Sequence, residues 1–264
     1  MMELNFDLIS DLHLETWDDE FDWSNRATSP YAVVAGDVCK DRNLLIKCLS
    51  DLGKNYQAVF YLDGNDEHKN NIDNLTGSYK DLYKKITHIR NVVYLQDNVV
   101  VVDGVAILGT NGWWGYDFDP VINPEQSAEW HKEKDGLSQS TIDSIRRMST
   151  NDVNYMIGSV KRLQTHLDVK KIVMVTHTVP DANLITHDIQ LSNTLRFNTM
   201  GNRFMNHALD VDTEKKIHTW CFGHYHGDVD QIREGVRYVN NCRGRGDTPW
   251  SKWVYHPKRI TIDY

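Results

Sequence analysis

The sequence has little of what marks several common protein classes. Its four cysteines are scattered without a C-x-x-C pair, which disfavours a disulfide framework and a thiolate metal site. No apolar run approaches about 18 residues, so we expect no membrane-spanning helix. The 29 Lys and Arg residues are outnumbered by 37 Asp and Glu residues. The resulting charge of −8 argues against binding nucleic acid by broad phosphate neutralisation.

Several catalytic motifs and a targeting segment are missing as well. The chain contains no G-x-x-x-x-G-K-[ST], G-x-G-x-x-G, G-x-S-x-G or H-E-x-x-H. P-loop NTPases, Rossmann dehydrogenases, serine hydrolases and zincins therefore lose support. The N-terminus has neither the basic region nor the apolar core of a secretory signal, and together with the scattered cysteines this predicts a cytoplasmic protein.

Short apolar runs alternate with helical periodicity along the chain. Helical patterns occupy about 44–52 and 71–88, between strand-like runs, which predicts an α/β fold with much parallel pairing. Asp103-Gly104 predicts a hairpin between two such runs. The runs that predict strands lie at 4–9, 31–35, 58–62, 92–95, 99–102, 105–108, 172–175, 217–222, 228–233, 236–240 and 258–263.

The rest of the chain gives weaker patterns. Residues 111–135 are predicted to be a loop, 137–167 a long helix, and 178–210 a loop with a short helix. No stretch of the sequence has the composition of a linker between domains. A length of 264 residues allows one or two domains at about 150 residues each, and we predict a single domain over 1–264.

Polar side chains follow five of the predicted strands at the point where each strand ends. Because the carboxyl ends of neighbouring strands meet at one edge of a sheet, we expect these side chains to converge there. Taken alone, each motif is an ordinary turn or loop, and the argument rests on their conjunction. The residues are Asp11, His13, Asp37, Asn65, His177, His224 and His226.

Carboxylates, imidazoles and an amide oxygen form a mixed nitrogen and oxygen ligand set. Such a set suits Mn, Fe(II), Zn or Ni. Seven residues are too many for one tetrahedral ion, and they fit two ions about 3.5–4 Å apart that share one carboxylate. The sequence therefore predicts a dinuclear metal site.

The order D-x-H, G-D, G-N-x-[D/E], H, G-H-x-H, from residue 11 to residue 226, resembles the calcineurin-like metallophosphoesterase superfamily. The stretches around Leu14-Glu15, Asn111-Gly112 and Asn240-Asn241 are similar to a bacterial and bacteriophage branch of that superfamily. The resemblance implies a four-layer αββα sandwich, in which two mixed β-sheets are flanked by helices.

The resemblance also implies which residues hold which ion. Asp37 would bridge the two ions, and a hydroxide shared between them would attack phosphorus in line. Mn²⁺ is the expected metal, with Fe, Zn or Ni as alternatives. The first ion would be held by Asp11, His13, Asp37 and His226, and the second by Asp37, Asn65, His177 and His224.

One position departs from the family pattern. Most members read G-N-H-[E/D], whereas this chain reads Gly64-Asn65-Asp66-Glu67-His68. The usual histidine contacts the phosphate and protonates the leaving group, and an ionised aspartate is a poor acid. Asp66 and His68 are the catalytic candidates, and a solvated loop histidine is the plainer interpretation of His68. The departure favours a phosphodiester substrate.

Three residues are candidates for substrate binding. Asn111 and Trp113 lie in a loop that follows a strand, where an exposed Trp113-Trp114 pair would stack on a ring. Hydrophobic filling under the loop is an equal alternative for the tryptophans. Arg243 follows the last strand near the site and would hold a phosphate oxygen, or else be a solvated charge.

These features predict a metal-dependent phosphohydrolase acting on a phosphodiester, a small phosphoester or a nucleotide, with no membrane partner. An interaction scaffold of the same fold is the alternative. The only feature that favours it is Asp66, which stands where most family members have a histidine. A nuclease of the same fold is a further alternative that the acidic composition disfavours.

Overall fold

A computed structural model describes residues 3–19, 21–185, 188, 194–248 and 251–264. Its strands are β1 (Glu3–Ile9), β2 (Tyr31–Ala35), β3 (Ala58–Leu62), β4 (Val92–Tyr94), β5 (Asn98–Val102), β6 (Val105–Gly109), β7 (Lys171–Val175), β8 (Ile217–Phe222), β9 (Asp230–Arg233), β10 (Val236–Asn240) and β11 (Lys258–Asp263). Its α-helices are α1 (Arg42–Asn55), α2 (Leu75–Ile86), α3 (Pro124–Asp135), α4 (Gln139–Gln164) and α5 (His207–Asp210).

The strands form two mixed sheets. The first has the order β11-β1-β2-β3-β4, and its strands are parallel except for the antiparallel β11. The second has the order β5-β6-β7-β8-β10-β9, with antiparallel strands at both edges. The chain passes from the first sheet to the second between Tyr94 and Asn98, and β11 returns to the first sheet.

Three hydrophobic layers hold the sheets and helices together. Between the sheets, inward side chains such as Leu8 and Ile107 pack against one another. Leu49 of α1 and Leu82 of α2 cover the outer face of the first sheet, and Met156 of α4 covers the second. Two mixed sheets flanked by helices confirm the predicted fold class, a four-layer αββα sandwich.

The predicted hairpin is confirmed, since β5 and β6 pair antiparallel around Asp103-Gly104. The prediction of a loop throughout 111–135 is wrong, because α3 begins at Pro124. Proline fits the first helical position, and the Asn123 side chain accepts hydrogen bonds from the backbone N–H groups of Glu125 and Gln126. Gly136 then ends the helix in a left-handed conformation, with φ of 66°.

The segment predicted as helical from 71 to 88 begins as a 3₁₀ helix, Asp66–Asn74, and becomes α2 at Leu75. In the 178–210 segment the described residues contain three short 3₁₀ helices and the one-turn α5. Across the described ranges, no helix is long and apolar enough to cross a membrane.

Candidate metal centre

All seven predicted ligands lie at the carboxyl ends of five strands. The first sheet supplies four of them and the second sheet supplies three. The structure brings them together into what we call the ligand cluster: Asp11 and His13 after β1, Asp37 after β2, Asn65 after β3, His177 after β7, and His224 and His226 after β8.

The backbone of the ligand cluster is strained at four of its residues. Asp11, His13, Asp37 and His224 have φ values of 50°, 42°, 50° and 63°. A left-handed conformation costs an L-residue about 1–2 kcal/mol. Strain of this kind persists where the surrounding structure imposes it, and it concentrates at functional sites.

Two glycines allow the ligand turns to approach each other. Gly36 has φ of 86°, and a Cβ on it would lie 2.4 Å from His177 Nδ1. A Cβ on Gly64 would lie 2.1 Å from Asp37 Oδ1. Any larger residue at either position would displace a predicted ligand.

The first group of ligand atoms comes from Asp11, His13 and His226. The Nε2 atoms of His13 and His226 are 3.1 Å apart, and His226 Nε2 is 3.4 Å from Asp11 Oδ1. His13 Nε2 is 3.9 Å from the same oxygen. The group draws on residues 213 positions apart in the chain.

The second group comes from Asp37, His177 and His224, with Asn65 beside it. His177 Nε2 is 3.4 Å from Asp37 Oδ1 and 3.1 Å from Asn65 Oδ1. The ring centroids of His177 and His224 are 5.1 Å apart. Asp37 also reaches the first group, since its Oδ2 is 3.8 Å from His13 Nε2. Asp37 therefore lies between the two groups.

These spacings fit metal coordination. Ligand atoms about 2.1 Å from one ion lie about 3.0–3.4 Å from each other in octahedral or tetrahedral geometry. Four of the separations given above fall in that range, and in each group the candidate ligand atoms of the aspartate and histidine residues lie within 4.8 Å of one another. The donor set is nitrogen and oxygen, as predicted.

Outer hydrogen bonds fix which ring nitrogens face the cluster. His177 Nδ1 lies 2.9 Å from the carbonyl oxygen of Ala35 and donates to it, so Nε2 is the ring nitrogen that faces the other candidate ligands. His224 Nε2 lies 3.1 Å from the carbonyl oxygen of Thr199, which leaves Nδ1 of that ring for a metal. Bonds of this kind orient metal-binding histidines in proteins.

A similar arrangement orients Asp11. Its Oδ2 accepts from the Cys242 thiol at 3.0 Å and from the backbone N–H of His224 at 3.1 Å. Oδ1 accepts from that same N–H and faces His13 and His226. Hydrogen bonds to both oxygens therefore fix the carboxylate, and Oδ1 is the oxygen that points to the histidines.

Burial and neighbouring charges shift the pKa values of three residues in the ligand cluster. Burial opposes ionisation of Asp11, yet His226, His177 and His13 hold its pKa well below the ordinary value. Burial would lower the pKa of His177, but Asp37 raises it to about 10. Burial and the charge of His177 lower the pKa of His224 to about 4. The anionic carboxylates make the cluster a cation-binding environment.

Asp66 lies behind His13. Its Oδ2 is 3.3 Å from His13 Nδ1 and 3.4 Å from Lys40 Nζ, and it also forms an ion pair with Arg245. Burial would raise its pKa, but His13, Arg245 and Lys40 hold the pKa well below the ordinary value. Asp66 is therefore an anion that supports His13, and its backbone N–H donates to Asp37 Oδ1.

Glu67 is a residue that the sequence reasoning gave no role. Its Oε2 accepts from the backbone N–H groups of Asp37 and Gly64, and its Oε1 accepts from that of Val38. Burial, with the charges of Asp37 and Asp63, raises its pKa to about 8. Its side chain ties together two of the ligand turns. The sequence signal that could have indicated this role is the position of Glu67 as the acidic residue of the G-N-x-[D/E] motif.

His68 is fully buried and faces away from the ligand cluster. Its Nε2 is 2.7 Å from Asp63 Oδ2, and its Nδ1 is 2.8 Å from Ser78 Oγ. Asp63 also accepts from the amide of Asn111, whose backbone carbonyl accepts from the N–H of His177. The expected solvated loop position for His68 is therefore wrong, and the residue belongs to a buried network.

The candidate substrate residues occupy different places. Trp113 is fully buried, and its indole N–H donates to Tyr79. Trp114 is half-buried, and its ring stacks on His224 at 5.6 Å between centroids. Of the two alternatives for the tryptophans, hydrophobic filling is confirmed for Trp113, and Trp114 is the one beside the cluster. Asn111 is also buried, and its side chain donates to Asp63.

Arg243 is buried beside the N-terminal segment. Its guanidinium lies over the ring of Trp17 at 3.7 Å and forms an ion pair with Asp19. The same side chain contacts Phe21 at 4.7 Å. The expectation of a solvated charge is wrong for Arg243, and the structure does not bring its side chain to the ligand cluster.

No protein-family model and no curated protein matches this sequence. Several solved structures, in contrast, match the fold of this chain. Phosphopantetheinyl hydrolase from Mycobacterium tuberculosis superposes with a TM-score of 0.69 at 19% identity, over 94% of each chain. A protein described as a 5′-nucleotidase from Staphylococcus aureus gives 0.51 at 14% identity, over 99% of this chain and 51% of the other.

GAP50, the anchor in the inner membrane complex of Plasmodium, gives a TM-score of 0.52 at 12% identity. It is covered over 77% of its length, and this chain over 98%. The chain therefore shares its fold with these structures, an α/β sandwich of two mixed sheets, and it carries clustered aspartate and histidine residues at one edge of the sheets.

Proposed function

We propose that the chain is a dinuclear metal-dependent phosphoesterase. The observation that carries the proposal is Asp37, whose two carboxylate oxygens face two separate histidine-containing groups. A carboxylate shared in this way is what two neighbouring ions require. The fold of two phosphohydrolases, phosphopantetheinyl hydrolase and the 5′-nucleotidase, supports the same activity.

Asp11, His13, Asp37 and His226 would hold one ion, and Asp37, Asn65, His177 and His224 would hold the other. When bound, two divalent ions supply Lewis-acid activation of water and of phosphoryl oxygens. The chain's own residues keep the site in place: Asp66 supports His13, and Glu67 fixes the turn that carries Asp37.

The substrate would be a phosphodiester, a small phosphoester or a nucleotide, and Mn²⁺ is the proposed metal, with Fe, Zn or Ni as alternatives. The partly exposed members of the cluster, Asn65, His224 and His226, form its open side. Trp114 stacks on His224 there, so an aromatic surface stands next to the position a substrate would take. This arrangement supports a substrate that carries a ring.

Asp37→Asn tests the proposal with little change of shape. We expect the wild-type protein, loaded with Mn²⁺, to hold two ions and to hydrolyse bis(p-nitrophenyl) phosphate. The variant should lose metal and at least 100-fold in kcat/KM. Asp51→Asn, which removes an exposed ion pair with Lys54, is the matched control. An Asp37→Asn protein with full activity would contradict the proposal.

An interaction scaffold is the second candidate, and the likeness to the anchor protein GAP50 favours it. A scaffold needs no metal, so metal analysis after loading separates the two functions. A protein that retains no Mn²⁺ and hydrolyses neither phosphomonoesters nor phosphodiesters would favour the scaffold. Trimming or nicking of single-stranded DNA by the Mn²⁺-loaded protein would instead indicate the nuclease alternative.

A further inference from the structure

Two cations stand at the edge of the ligand cluster without being part of it. Arg245 and Lys40 both contact Asp66 Oδ2, and their side chains are 28% and 24% exposed, whereas that of Asp66 is 2% exposed. The negative partner is therefore inside the protein and the positive groups face outward. This is the charge arrangement of an anion-binding rim.

The rim lies on the open side of the cluster. Gly244, which precedes Arg245, is next to the ring of His226: a Cβ there would lie 3.8 Å from Nδ1. His226 is itself 26% exposed. A ligand that reaches the cluster from this side would therefore pass the guanidinium of Arg245.

Asp66 contacts one nitrogen of the Arg245 guanidinium. Its Oδ2 accepts from Nη2, and in the described part of the chain this is the hydrogen bond that the Arg245 side chain makes. A guanidinium carries five N–H donors in a rigid fork, so most of its donors remain for a ligand. A carboxylate behind an arginine fixes its direction without using its whole donor capacity.

The order of contacts indicates which ligand group would be held. His13 turns Nδ1 to Asp66 and Nε2 to Asp11, Asp37 and His226. Arg245 contacts Asp66, which lies on the Nδ1 side of the ring, whereas the atoms that would bind metal lie on the Nε2 side. This order favours contact of Arg245 with a second anionic group attached to a phosphoryl group at the cluster, rather than with that phosphoryl group itself.

We propose that Arg245, backed by Lys40, binds a second anionic group of the substrate, so that the preferred substrate carries two neighbouring anions, such as two linked phosphates. This rests on the proposed phosphoesterase function and specifies its substrate class. Glu15 opposes the rim, because its carboxylate is 3.8 Å from Lys40 Nζ.

Calorimetric binding of two probes tests the subsite without relying on catalysis. Methylenediphosphonate carries two linked anions and resists hydrolysis, and methylphosphonate is its single-anion counterpart. We expect Mn²⁺-loaded wild-type protein to bind the first at least tenfold more tightly. Arg245→Gln should remove most of this preference and change methylphosphonate binding by less than threefold. Methylenediphosphonate chelates Mn²⁺ more strongly than methylphosphonate, but for each probe chelation is the same in wild type and variants, so the change between proteins carries the test.

Matched variants sharpen the result. Arg237→Gln removes an arginine that is also 28% exposed and ion-paired with an aspartate, but that lies in β10, and it should keep the preference. Lys40→Gln should weaken it, and Glu15→Gln should strengthen it. If thermal melting shows that Arg245→Gln does not fold, Arg245→Lys and Lys40→Gln provide the comparison.

The outcomes separate the two proposals. Equal binding of both probes by the wild type, or an unchanged preference in Arg245→Gln and Lys40→Gln, overturns the anion subsite. An equal loss for both probes also overturns it, because Arg245 would then contact the cluster-bound group or act through the fold. Mn²⁺ content is measured on the same samples. Protein without Mn²⁺ that still shows an Arg245-dependent preference keeps the subsite and rejects the metal enzyme.

Discussion

The carboxylate of Asp66 lies 3.3 Å from His13 Nδ1, on the side of the ring opposite the ligand cluster. This relationship favours a role for Asp66 as a support for His13, a proposed metal ligand, over a role as a proton donor to a leaving group. An anionic carboxylate beside one ring nitrogen raises the basicity of the other nitrogen and helps to fix its direction.

Asp66→Asn should therefore weaken metal binding. We expect affinity for one of two Mn²⁺ ions to fall about 10–100-fold, the usual effect of losing an outer hydrogen-bonding partner. Titration with Mn²⁺, followed by metal analysis, measures the loss. Asp230→Asn, which removes a surface ion pair with Arg237, is the control. Unchanged metal affinity together with lost hydrolysis would instead favour a catalytic role for Asp66.

Glu67→Gln should destabilise the fold. The carboxylate oxygens of Glu67 accept three backbone N–H bonds, and glutamine has one acceptor oxygen, so at least one buried N–H loses its partner. The expected cost is about 1–3 kcal/mol in the free energy of unfolding, measured by urea denaturation. Glu129→Gln, an exposed residue paired with Lys132, should change it by less than about 0.5 kcal/mol. Equal costs would contradict the role given to Glu67.

His68→Ala should lower stability while leaving the metal count at two. Removing the ring takes one hydrogen bond from Asp63, which keeps those from Asn111 and Tyr94, and it takes the partner of the Ser78 hydroxyl. With the buried space left by the ring, the cost is about 2–4 kcal/mol. Urea denaturation and metal analysis of the same sample check both halves of the prediction. The exposed His88→Ala is the control. A stable, metal-loaded but inactive His68→Ala protein would point to catalysis by His68.

Asp152→Asn should change how stability depends on pH. Burial raises the pKa of Asp152 to about 8, and its Oδ2 accepts from the backbone N–H groups of Gly112 and Trp113. Between the ordinary carboxyl pKa of 3.8 and about 8, the folded protein binds one more proton than the unfolded chain at this residue. Stability contributed by Asp152 is therefore lost as the pH rises through that window.

The variant should remove this slope, which is at most about 1.4 kcal/mol per pH unit. Free energies of unfolding at pH 5.5, 6.5 and 7.5, from urea denaturation, give the comparison. Asp143→Asn, an exposed residue on the same helix, should keep the wild-type slope. Parallel slopes for wild type and Asp152→Asn would refute the assignment.

The strands, and the convergence of the seven candidate ligands at their ends, were predictable because both depend on local sequence. An apolar run that ends at a polar residue, such as Ala35 followed by Gly36-Asp37, marks a buried strand and its carboxyl end together. Parallel pairing then brings such ends to one edge without further information. The same local reasoning overlooked α3, because loop-like residues around Pro124 hid its start.

Side-chain direction was not predictable, because it depends on residues distant in the chain. Asp66 is turned toward His13 by Lys40 and by Arg245, which lies 179 positions away. Trp113 and Trp114 are neighbours in sequence, yet one enters the core and the other stacks on His224. Patterns of polarity and periodicity along the sequence do not show which way these side chains point.

The division of the ligands between two sheets has a consequence for the order of folding. Each group combines residues from both sheets, and His13 and His226 are 213 positions apart. Closing so long a loop has an entropic cost that must be met before the contact contributes any stability. The first sheet can pair its central strands early, but neither group is complete until β8 has joined the sandwich. The centre therefore assembles late, and metal uptake would report that the two halves of the chain have met.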